Sequence, residues 1–371
     1  MLIGVPKEIK NQEYRIGLTP AGVSELVGAG HRVMIERDGG VGVGLNDADY
    51  VAAGAEIIVT AEEIFSRAEM VIKVKEPQPS ECQMLRRGQL LFTFLHLAPD
   101  PRQTELLVNS GVSAIAYETI TDDAGGLPLL APMSEVAGRL SAQQGALCLQ
   151  NSLGGSGILL GGVPGVAPAE VCILGGGVVG LNAARVALGL GADVTIVDRS
   201  LPRLRYIDEL YGDRINTLFS TTQAIREQAA RSDLIIGAIL VPGAAATKLL
   251  TRDMLKLMKP HSVVVDVAID QGGCFETSRA TTHDEPTYSV DNITHYCVAN
   301  MPGAVARTST FALTNATLPY ISKLADHGLQ ALAADRHLLA GLNVHHGMLT
   351  YRAVSETLGY AYTDPSAAIA S

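Results

Sequence analysis

The sequence predicts an α/β protein with two doubly wound parallel-sheet domains, and three observations lead to that class. Short apolar runs typical of buried parallel strands alternate along the chain with segments of helical periodicity. The chain has 371 residues, 47% of them hydrophobic, which is enough for two hydrophobic cores. Only 5% are aromatic and none is tryptophan, so small and aliphatic side chains must fill closely packed layers.

The N-terminal elements follow in order along the chain. After a first strand at residues 2–6, Thr19 and Pro20 provide the N-cap and N1 proline of a helix that extends through Ala29. Asp100 and Pro101 repeat this signal before a second helix. Further strands are expected at residues 31–36, 70–74, 90–95 and 112–116. The charged loop at residues 7–15 follows the first strand, at the sheet edge where α/β proteins bind ligands.

A glycine-rich turn between two strands marks the second domain. Gly175, Gly177 and Gly180 have the G-x-G-x-x-G spacing of a Rossmann dinucleotide fingerprint, between a strand at 171–174 and a helix. In this motif the first glycine permits a tight turn, the second lets backbone approach the pyrophosphate, and the third lets the helix lie close to the strand. The alternative is a glycine turn in a doubly wound protein that binds no dinucleotide.

Asp198 ends the following strand, where an acidic side chain can accept hydrogen bonds from both ribose hydroxyls. Its charge would repel a 2′-phosphate, so we expect NAD rather than NADP. Arg199 and Arg203 keep NADP open, because a nearby arginine can accommodate that phosphate.

These elements predict two Rossmann-like domains linked by long helices. A helical stretch at residues 131–153 leads into the second domain, whose later strands are expected at 216–219, 234–236 and 263–267. After a helix at about 308–326, we expect helical pieces to continue to the C-terminus and to complete the first domain. The predicted substrate domain is therefore residues 1–128 with 307–371, and the nucleotide domain residues 129–306.

Composition excludes several classes of function. A formal net charge of −10 without a Lys/Arg cluster argues against nucleic acid and anionic membranes, and the apolar runs are too short to span a membrane. Five cysteines without a C-x-x-C pair indicate a reducing compartment and no metal site. Since the N-terminus lacks the pattern of a signal peptide, we expect a cytoplasmic protein.

Candidate substrate-binding and acid/base groups lie at the ends of predicted strands. His96 follows the apolar run at 90–95, where an acid/base histidine is expected; the alternative is a histidine satisfied by a core carbonyl. Lys73 and Lys75 lie two residues apart near a strand end, and Arg15 lies in the charged loop. These three cations either hold a substrate anion or belong to a solvated surface.

Asp266 and Asp270 lie in one segment, residues 263–273, but are predicted to differ in role. Asp266 lies inside the apolar pattern, which favours hydrogen bonds to backbone. Asp270 stands where the run ends, before Gly272 and Gly273, and is the better catalytic candidate because a carboxylate there could orient water or stabilise an iminium.

Taken together, these segments resemble the bacterial alanine dehydrogenase family over nearly the whole chain. The related nucleotide-binding subunit of transhydrogenase shares the opening segment and the Rossmann unit, and is a weaker match around His96 and Asp270. The segments that carry the resemblance are residues 4–10 with Arg15, 74–77, 95–98, 161–166, 175–180, 266–273, 299–305 and 308–310.

The resemblance implies NAD-dependent, reversible oxidative deamination of L-alanine to pyruvate and ammonium by a cytoplasmic homohexamer. It implies that Arg15 and Lys75 hold the substrate carboxylate and carbonyl, while His96 and Asp270 form the acid/base pair. The implied NAD site comprises Ser134, Gly175, Gly177, Val178, Val179, Gly180, Asp198, Arg203, Ser220, Ile239, Leu240, Val267, Ile269, Asp270, Arg279, Val298 and Met301.

Two other functions compete with this interpretation. A transhydrogenase-like component would pass hydride to NADP held by another protein, and a non-catalytic protein would only sense NAD. A sensor needs none of Arg15, Lys75 and His96, so their presence favours the dehydrogenase.

Overall fold

The computed structural model describes residues 1–239 and 247–370. The chain divides into two compact units, the first formed by Met1–Met133 with Val305–Ser371 and the second by Ser134–Ala304. Each contains a mainly parallel sheet with helices, so the predicted fold class is confirmed.

The described strands of the first unit form one eight-stranded sheet in the order β15-β14-β6-β5-β4-β1-β2-β3. Its first six strands along the chain are parallel, and β5 and β6 are buried at every position, as expected of a sheet covered on both faces. The strands are β1 (Leu2–Val5), β2 (Arg32–Glu36), β3 (Glu56–Ile58), β4 (Met70–Ile72), β5 (Leu90–Thr93), β6 (Ser113–Ala116), β14 (Leu342–His345) and β15 (Met348–Leu349).

Helices of the first unit begin where the capping signals predict. The Thr19 side chain accepts a hydrogen bond from the Gly22 N–H, and the Asp100 side chain accepts one from Gln103 at 3.0 Å. The helices are α1 (Pro20–Gly28), α2 (Asp47–Ala52), α3 (Ala61–Arg67), α4 (Pro79–Cys82), α5 (Pro101–Ser110), α11 (Ala306–His327), α12 (Gln330–Ala334), α13 (Arg336–Leu339), α14 (Arg352–Leu358) and α15 (Pro365–Ile369).

The prediction that only helices follow α11 is wrong, because residues 342–349 form a β-hairpin. Strand β14 pairs antiparallel with β6 and β15, and its four residues are buried. His346 and Gly347 connect the strands with φ of 48° and 91°, the left-handed conformation that a tight hairpin turn requires. Periodicity alone cannot distinguish a short, fully buried strand from a piece of buried helix.

The strands described in the second unit have the order β12-β13-β11-β10-β7-β8-β9, with β7 near the centre, and among them only the β12–β13 pair is antiparallel. The strands are β7 (Glu170–Leu174), β8 (Asp193–Asp198), β9 (Asn216–Phe219), β10 (Leu234–Gly237), β11 (Val263–Asp266), β12 (Thr287–Val290) and β13 (Ile293–Tyr296). The helices are α7 (Val178–Gly189), α8 (Leu201–Tyr211), α9 (Thr222–Arg231) and α10 (Arg252–Leu255).

Helix α6 (Ala131–Cys148) is shorter than the stretch predicted at 131–153, because the chain ends the helix and forms a separate 3₁₀ turn at Asn151–Leu153. Two glycines let α6 approach its neighbours closely. A Cβ on Gly138 would lie 2.2 Å from the Val179 carbonyl oxygen, and one on Gly145 would lie 2.6 Å from the Leu234 side chain.

No helix in the described part of the chain is long and apolar enough to cross a membrane. All five cysteines are free thiols, and all five are buried.

Candidate active site

The candidate substrate groups of the first unit follow the carboxyl ends of neighbouring strands. Arg15, Lys75 and His96 come after β1, β4 and β5, which are adjacent in the sheet together with β6. Since the carboxyl ends of parallel strands share one edge of a sheet, the fold brings these chain segments to the same edge.

Arg15 is buried and held by a carboxylate, so of its two interpretations the solvated surface is wrong. Only 2% of the residue is exposed. Its Nε and Nη2 donate to the two carboxylate oxygens of Glu13 at 2.7 and 2.6 Å, and Nη1 lies 3.1 Å from Sδ of Met133. This bidentate pairing fixes the plane of the guanidinium at the edge of the sheet.

Lys73 is also buried, and it is an ion-pair residue rather than part of a solvated edge. Its Nζ donates to Glu8 at 2.9 Å and to Glu81 at 2.8 Å, and the residue is 0% exposed. Burial lowers the pKa of Lys73, but the charges of Glu8 and Glu81 outweigh burial and raise it above its ordinary value. The ammonium group therefore stays charged.

Lys75 is 8% exposed and is positioned by groups from several chain segments. Its backbone N–H donates to Glu8 at 3.3 Å, and its carbonyl accepts from the Thr93 hydroxyl at 2.8 Å. Its ammonium lies 3.9 Å from the Glu76 carboxylate. A buried cation with a fixed backbone can bind a carbonyl or carboxylate oxygen of a substrate.

Glu76 supplies negative charge beside this cation. It forms an ion pair with Lys10 in addition to the contact with Lys75. Burial raises the pKa of Glu76, yet the charges of Lys75 and Lys10 and the hydrogen bond from Lys10 outweigh burial, so its pKa lies below the ordinary value. Glu76 is therefore ionised at neutral pH.

His96 has an unusual backbone conformation that hydrogen bonds from Glu118 hold in place. Its φ is 48°, a left-handed conformation that non-glycine residues rarely adopt. The Glu118 carboxylate accepts the N–H of His96 at 2.7 Å and that of Leu95 at 3.1 Å. The half-buried ring stacks on Phe94, with centroids 5.8 Å apart, and no residue in 1–239 or 247–370 hydrogen-bonds its nitrogens.

In the second unit the three fingerprint glycines meet the steric demands that their spacing predicts. Gly175 has φ 108°, and a Cβ there would lie 2.7 Å from the Ala238 carbonyl oxygen. A Cβ on Gly180 would lie 1.8 Å from the Gly175 carbonyl oxygen, whereas one on Gly177 would meet nothing within 4 Å. The turn is therefore tight, and α7 (Val178–Gly189) lies close to it. On the exposed side of the turn, at Gly177, there is space beside the backbone.

Asp198 and Arg203 both contact the glycine turn. The Asp198 carboxylate accepts the N–H groups of Gly176 and Ser200, each at 2.7 Å. Nε of Arg203 donates to the Gly176 carbonyl, and its guanidinium lies 5.1 Å from the centroid of the Tyr206 ring. The acidic and the basic side chain thus lie beside the same turn.

Most other residues implied for the nucleotide site also follow strand ends. Val178 and Val179 open α7, Ser134 lies in α6, and Arg279 lies 4.0 Å from the centroid of the Tyr288 ring. Leu240 lies outside the described residues. Ser220 follows β9 and Ile239 follows β10. Val267, Ile269 and Asp270 follow β11, and Val298 and Met301 follow β13.

Asp266, the last residue of β11, and Asp270, which follows the strand, differ in burial and in hydrogen bonding. Asp266 is buried and accepts hydrogen bonds from the backbone of Ala268 and Cys274 at 3.0 and 2.8 Å, which confirms its role in binding backbone. Asp270 is exposed, and its carboxylate accepts the Asn300 N–H at 3.3 Å. Of the two, Asp270 alone is accessible to a ligand.

Three carboxylates that position groups of the first unit's candidate site were not predicted from the sequence: Glu13, Glu76 and Glu118. Each lies in a segment that follows a parallel strand. His96 was selected because it follows the carboxyl end of a strand, and the same reason applies to Glu118, which comes soon after β6. Nothing in the sequence indicates that Glu13 pairs with Arg15 rather than with water.

Two family models match the chain and together cover most of it. Alanine dehydrogenase/PNT, N-terminal domain, matches residues 4–137, and Alanine dehydrogenase/PNT, C-terminal domain, matches residues 141–352.

Relatives and solved structures agree with these matches. An alanine dehydrogenase of Halomonas elongata is 62% identical over 100% of both chains. A solved L-alanine dehydrogenase superposes with a TM-score of 0.94 at 53% identity, covering 97% of this chain and 99% of that one. A transhydrogenase from Sinorhizobium meliloti has a TM-score of 0.81 at 23% identity, covering 95% and 100% of the two chains, and shows likeness of fold alone.

Replacing Lys73 with methionine should destabilise the first unit strongly. The change leaves Glu8 and Glu81 buried without their cation, and breaking a buried pair in this way typically costs about 3–5 kcal/mol of the free energy of unfolding. Urea denaturation at pH 7 measures the loss. Lys256→Met, which removes an exposed partner of Asp253, is the control and should leave the transition unchanged.

The loss in the Lys73→Met variant should shrink as pH falls. Burial already raises the pKa of Glu8, and removing the Lys73 charge takes away an interaction that lowers it. A carboxyl whose folded-state pKa exceeds its unfolded pKa favours the folded state at low pH, and this contribution is lost as pH rises through the folded-state pKa. If the loss in the free energy of unfolding caused by Lys73→Met is the same at pH 7 and at pH 5, this explanation is contradicted.

Proposed function

The chain belongs to the alanine dehydrogenase family, and on that premise we propose that it catalyses the reversible oxidative deamination of L-alanine to pyruvate and ammonium with NAD. The observation that carries the proposal is the set of groups at one sheet edge of the first unit. Two buried cations, Arg15 and Lys75, suit a small carboxylate substrate, and His96 is held beside them on an adjacent strand end.

The second unit fits a dinucleotide. The exposed side of the turn at Gly177 leaves space for a pyrophosphate, and the N-terminus of α7 presents backbone N–H groups to it. Asp198, at the end of β8, is suited to bind the ribose hydroxyls, while the hydrogen bond from Arg203 to Gly176 gives that arginine a role beside NAD. We assign to this site also Ser134, Gly175, Val178, Val179, Gly180, Ser220, Ile239, Val267, Ile269, Asp270, Arg279, Val298 and Met301.

The substrate groups have distinct roles. Arg15 binds the carboxylate of alanine or pyruvate with its charge-assisted hydrogen bonds, and Lys75 binds the oxygen that becomes the pyruvate carbonyl. Glu13 fixes the Arg15 guanidinium, and the Glu76 carboxylate lies 3.9 Å from the Lys75 ammonium. The bound NAD supplies the acceptor for the hydride that leaves Cα of alanine.

Loss of hydride converts the amine to an iminium, which water must attack. Water adds to the iminium carbon and gives up a proton to neutral His96, which leaves a carbinolamine. Protonated His96 returns that proton to the carbinolamine nitrogen, and the carbon–nitrogen bond breaks as the hydroxyl oxygen loses its proton and becomes the pyruvate carbonyl. The ammonia released takes up that proton to become ammonium. Asp270, as an anion, stabilises the iminium charge and orients the water. The balance is alanine, NAD⁺ and water giving pyruvate, ammonium, NADH and a proton. Reductive amination reverses these steps.

One assay distinguishes this activity from its competitors. Pyruvate, ammonium and NADH are mixed with the purified protein, and NADH absorbance is followed, with 2-oxobutyrate and glyoxylate tested in parallel. Rapid oxidation that requires both ammonium and the oxo acid supports the proposal. Oxidation of NADH only when NADP and a partner protein are added would favour a transhydrogenase component, and NADH binding without turnover would favour a sensor.

We further propose that the protein works in the cytoplasm as a homohexamer. The family resemblance supports the assembly, and the five free thiols fit a reducing compartment. Light scattering coupled to gel filtration measures the mass of the assembly directly.

Asp198→Asn should weaken the preference for NAD over NADP. The change keeps the shape of the side chain but removes the charge that repels a 2′-phosphate. Hydrogen bonds to a charged group are typically worth about 1.5–3 kcal/mol, so the ratio of kcat/KM for the two cofactors should fall by at least about tenfold. Asp193→Asn, on the exposed start of the same strand, is the control. Equal use of both cofactors by the unmodified protein would defeat the assignment.

His96→Ala and Asp270→Asn should each lower kcat by about two to four orders of magnitude, the usual range for general acid–base catalysis. NADH affinity should persist in both. The controls are His327→Ala and Asp284→Asn, at exposed positions. Near-normal turnover in a variant would remove that residue from the mechanism.

Glu118→Ala should lower kcat by about 10- to 100-fold with little change in the pyruvate KM, because misplacement of a catalytic group has effects of this size. Glu118→Gln retains an acceptor oxygen for the N–H groups of Leu95 and His96, so it should recover most of the rate. Glu105→Ala, exposed on α5, is the control. Steady-state kinetics measures all three, and wild-type kcat in Glu118→Ala would show that His96 needs no such support.

A further inference from the structure

Tyr288, on the edge strand β12 of the second sheet, contacts Arg279 through both its hydroxyl and its ring. The hydroxyl accepts the Arg279 backbone N–H at 2.8 Å. The Arg279 guanidinium lies 4.0 Å from the centroid of the ring, a distance at which a cation is attracted to the face of an aromatic side chain. Arg279 is exposed, and an unrestrained arginine on a surface adopts many rotamers. One tyrosine therefore restrains both the backbone and the charged end of this arginine.

Tyr288 is itself held in place. Its hydroxyl donates to the Thr277 carbonyl at 2.9 Å, and its ring stacks on His295 with centroids 4.9 Å apart. Burial lowers the pKa of His295, so the imidazole is neutral at pH 7. Its Nδ1 lies 3.0 Å from the Ile293 carbonyl, which can only accept, and its Nε2 lies 2.8 Å from the Thr277 hydroxyl, which can donate. Both imidazole nitrogens therefore have a partner, and the tyrosine that stacks on the imidazole has little freedom to move.

The segment that contains Arg279 lies beside the chain that leaves β13. The Thr281 N–H donates to the Cys297 carbonyl at 2.9 Å, and the Ala299 N–H donates to the Thr281 carbonyl at 3.1 Å. Strands β13, β11, β10 and β7 are parallel neighbours in that order, so their carboxyl ends share one edge of the sheet. Arg279 therefore lies near the edge that also carries the glycine fingerprint.

Asp198 and Arg279 lie on opposite sides of the fingerprint turn. The turn follows β7, Asp198 ends the neighbouring β8, and the Arg279 segment lies beside the end of β13, on the other side of β7. A dinucleotide that places its adenosine ribose at Asp198 and its pyrophosphate at the turn must extend its nicotinamide half over β10 and β11 toward β13. A guanidinium there has N–H donors that match the oxygens of the nicotinamide ribose.

We propose that Tyr288 is a positioning residue for the cofactor, which holds Arg279 so that its guanidinium binds the nicotinamide ribose. The inference rests on the proposed NAD site, which includes Arg279, and adds the residue that orders this arginine before the cofactor arrives. Such preorganisation strengthens binding, because less conformational entropy is lost when the ligand binds. Tyr288 itself acts only through Arg279.

The test compares the binding of three nucleotides to variants of Tyr288. NADH and ADP-ribose both carry the second ribose, whereas ADP carries the two phosphates without it. Tyr288→Leu removes the aromatic face and the hydroxyl, and Tyr288→Phe keeps the face. Tyr211→Leu is the control, because the Arg214 guanidinium lies 5.9 Å from the Tyr211 ring centroid in the same unit but outside the proposed site. Fluorescence titration for NADH and calorimetric titration for the other two give the dissociation constants, and urea denaturation checks that each variant is folded.

Tyr288→Leu should raise the dissociation constants of NADH and ADP-ribose by about 5- to 30-fold, the range expected for loss of a cation–aromatic contact, and should leave that of ADP unchanged. Tyr288→Phe should recover most of the affinity, and the control should bind as the unmodified protein does. In an Arg279→Met background, Tyr288→Leu should have no further effect, because the group that it positions is gone. If Tyr288→Leu is unfolded, Tyr288→Ile, whose branched side chain favours a strand, takes its place.

Three results would overturn the inference alone. These are an unchanged NADH affinity in folded Tyr288→Leu, a loss of ADP affinity equal to the loss of NADH affinity, or a full effect of Tyr288→Leu in the Arg279→Met background. An unmodified protein that binds none of the three nucleotides would instead overturn the proposed NAD site, and the role of Tyr288 with it.

Discussion

The first unit depends on a buried cation, Lys73, held between Glu8 and Glu81. Glu8 lies after β1 and uses its second oxygen to accept the N–H groups of Val74 and Lys75 at 2.6 and 3.3 Å. One carboxylate therefore neutralises a buried charge and also positions the backbone of the residue proposed to bind substrate. A buried carboxylate is tolerated only when its charge and its lone pairs are both satisfied, and here they are.

The strands beside β4 fix the same short segment from their own ends. The Tyr117 hydroxyl, after β6, donates to the Lys73 carbonyl at 2.9 Å, and the Thr93 hydroxyl of β5 donates to the Lys75 carbonyl at 2.8 Å. Burial raises the pKa of Tyr117 well above its ordinary value, so this hydroxyl remains a donor. Residues 73–75 are thus held by Glu8 after β1, by Thr93 in β5 and by Tyr117 after β6. A side chain on such a segment has little freedom, which favours a site that is ordered before substrate arrives.

Carboxylates at strand ends are of two kinds: some accept backbone N–H groups and fix a turn, and others remain accessible to a ligand. Asp198, Asp266 and Glu118 each accept at least two backbone N–H groups. Each one therefore fixes a turn, and Glu118 holds His96 in a left-handed conformation that would otherwise be costly. Asp270 accepts one backbone N–H from the residues that the structure describes, at the longer distance of 3.3 Å, and is exposed, which suits a group proposed to reach a substrate.

The sequence by itself determined the local features of this protein, because their signals lie within a few residues of each other. The glycine spacing from Gly175 to Gly180, the capping pairs at Thr19 and Asp100, and the apolar runs of the parallel strands all act over one turn or one strand. Family resemblance added the roles proposed for His96 and Asp270. The tertiary structure alone decided that Arg15 and Lys73 are buried in ion pairs and that residues 342–349 form strands. Burial and pairing depend on which distant segments the order of strands brings together: Glu8 reaches Lys73 only because β1 lies beside β4. Likewise, β14 is a strand because the edge of β6 is there to pair with it.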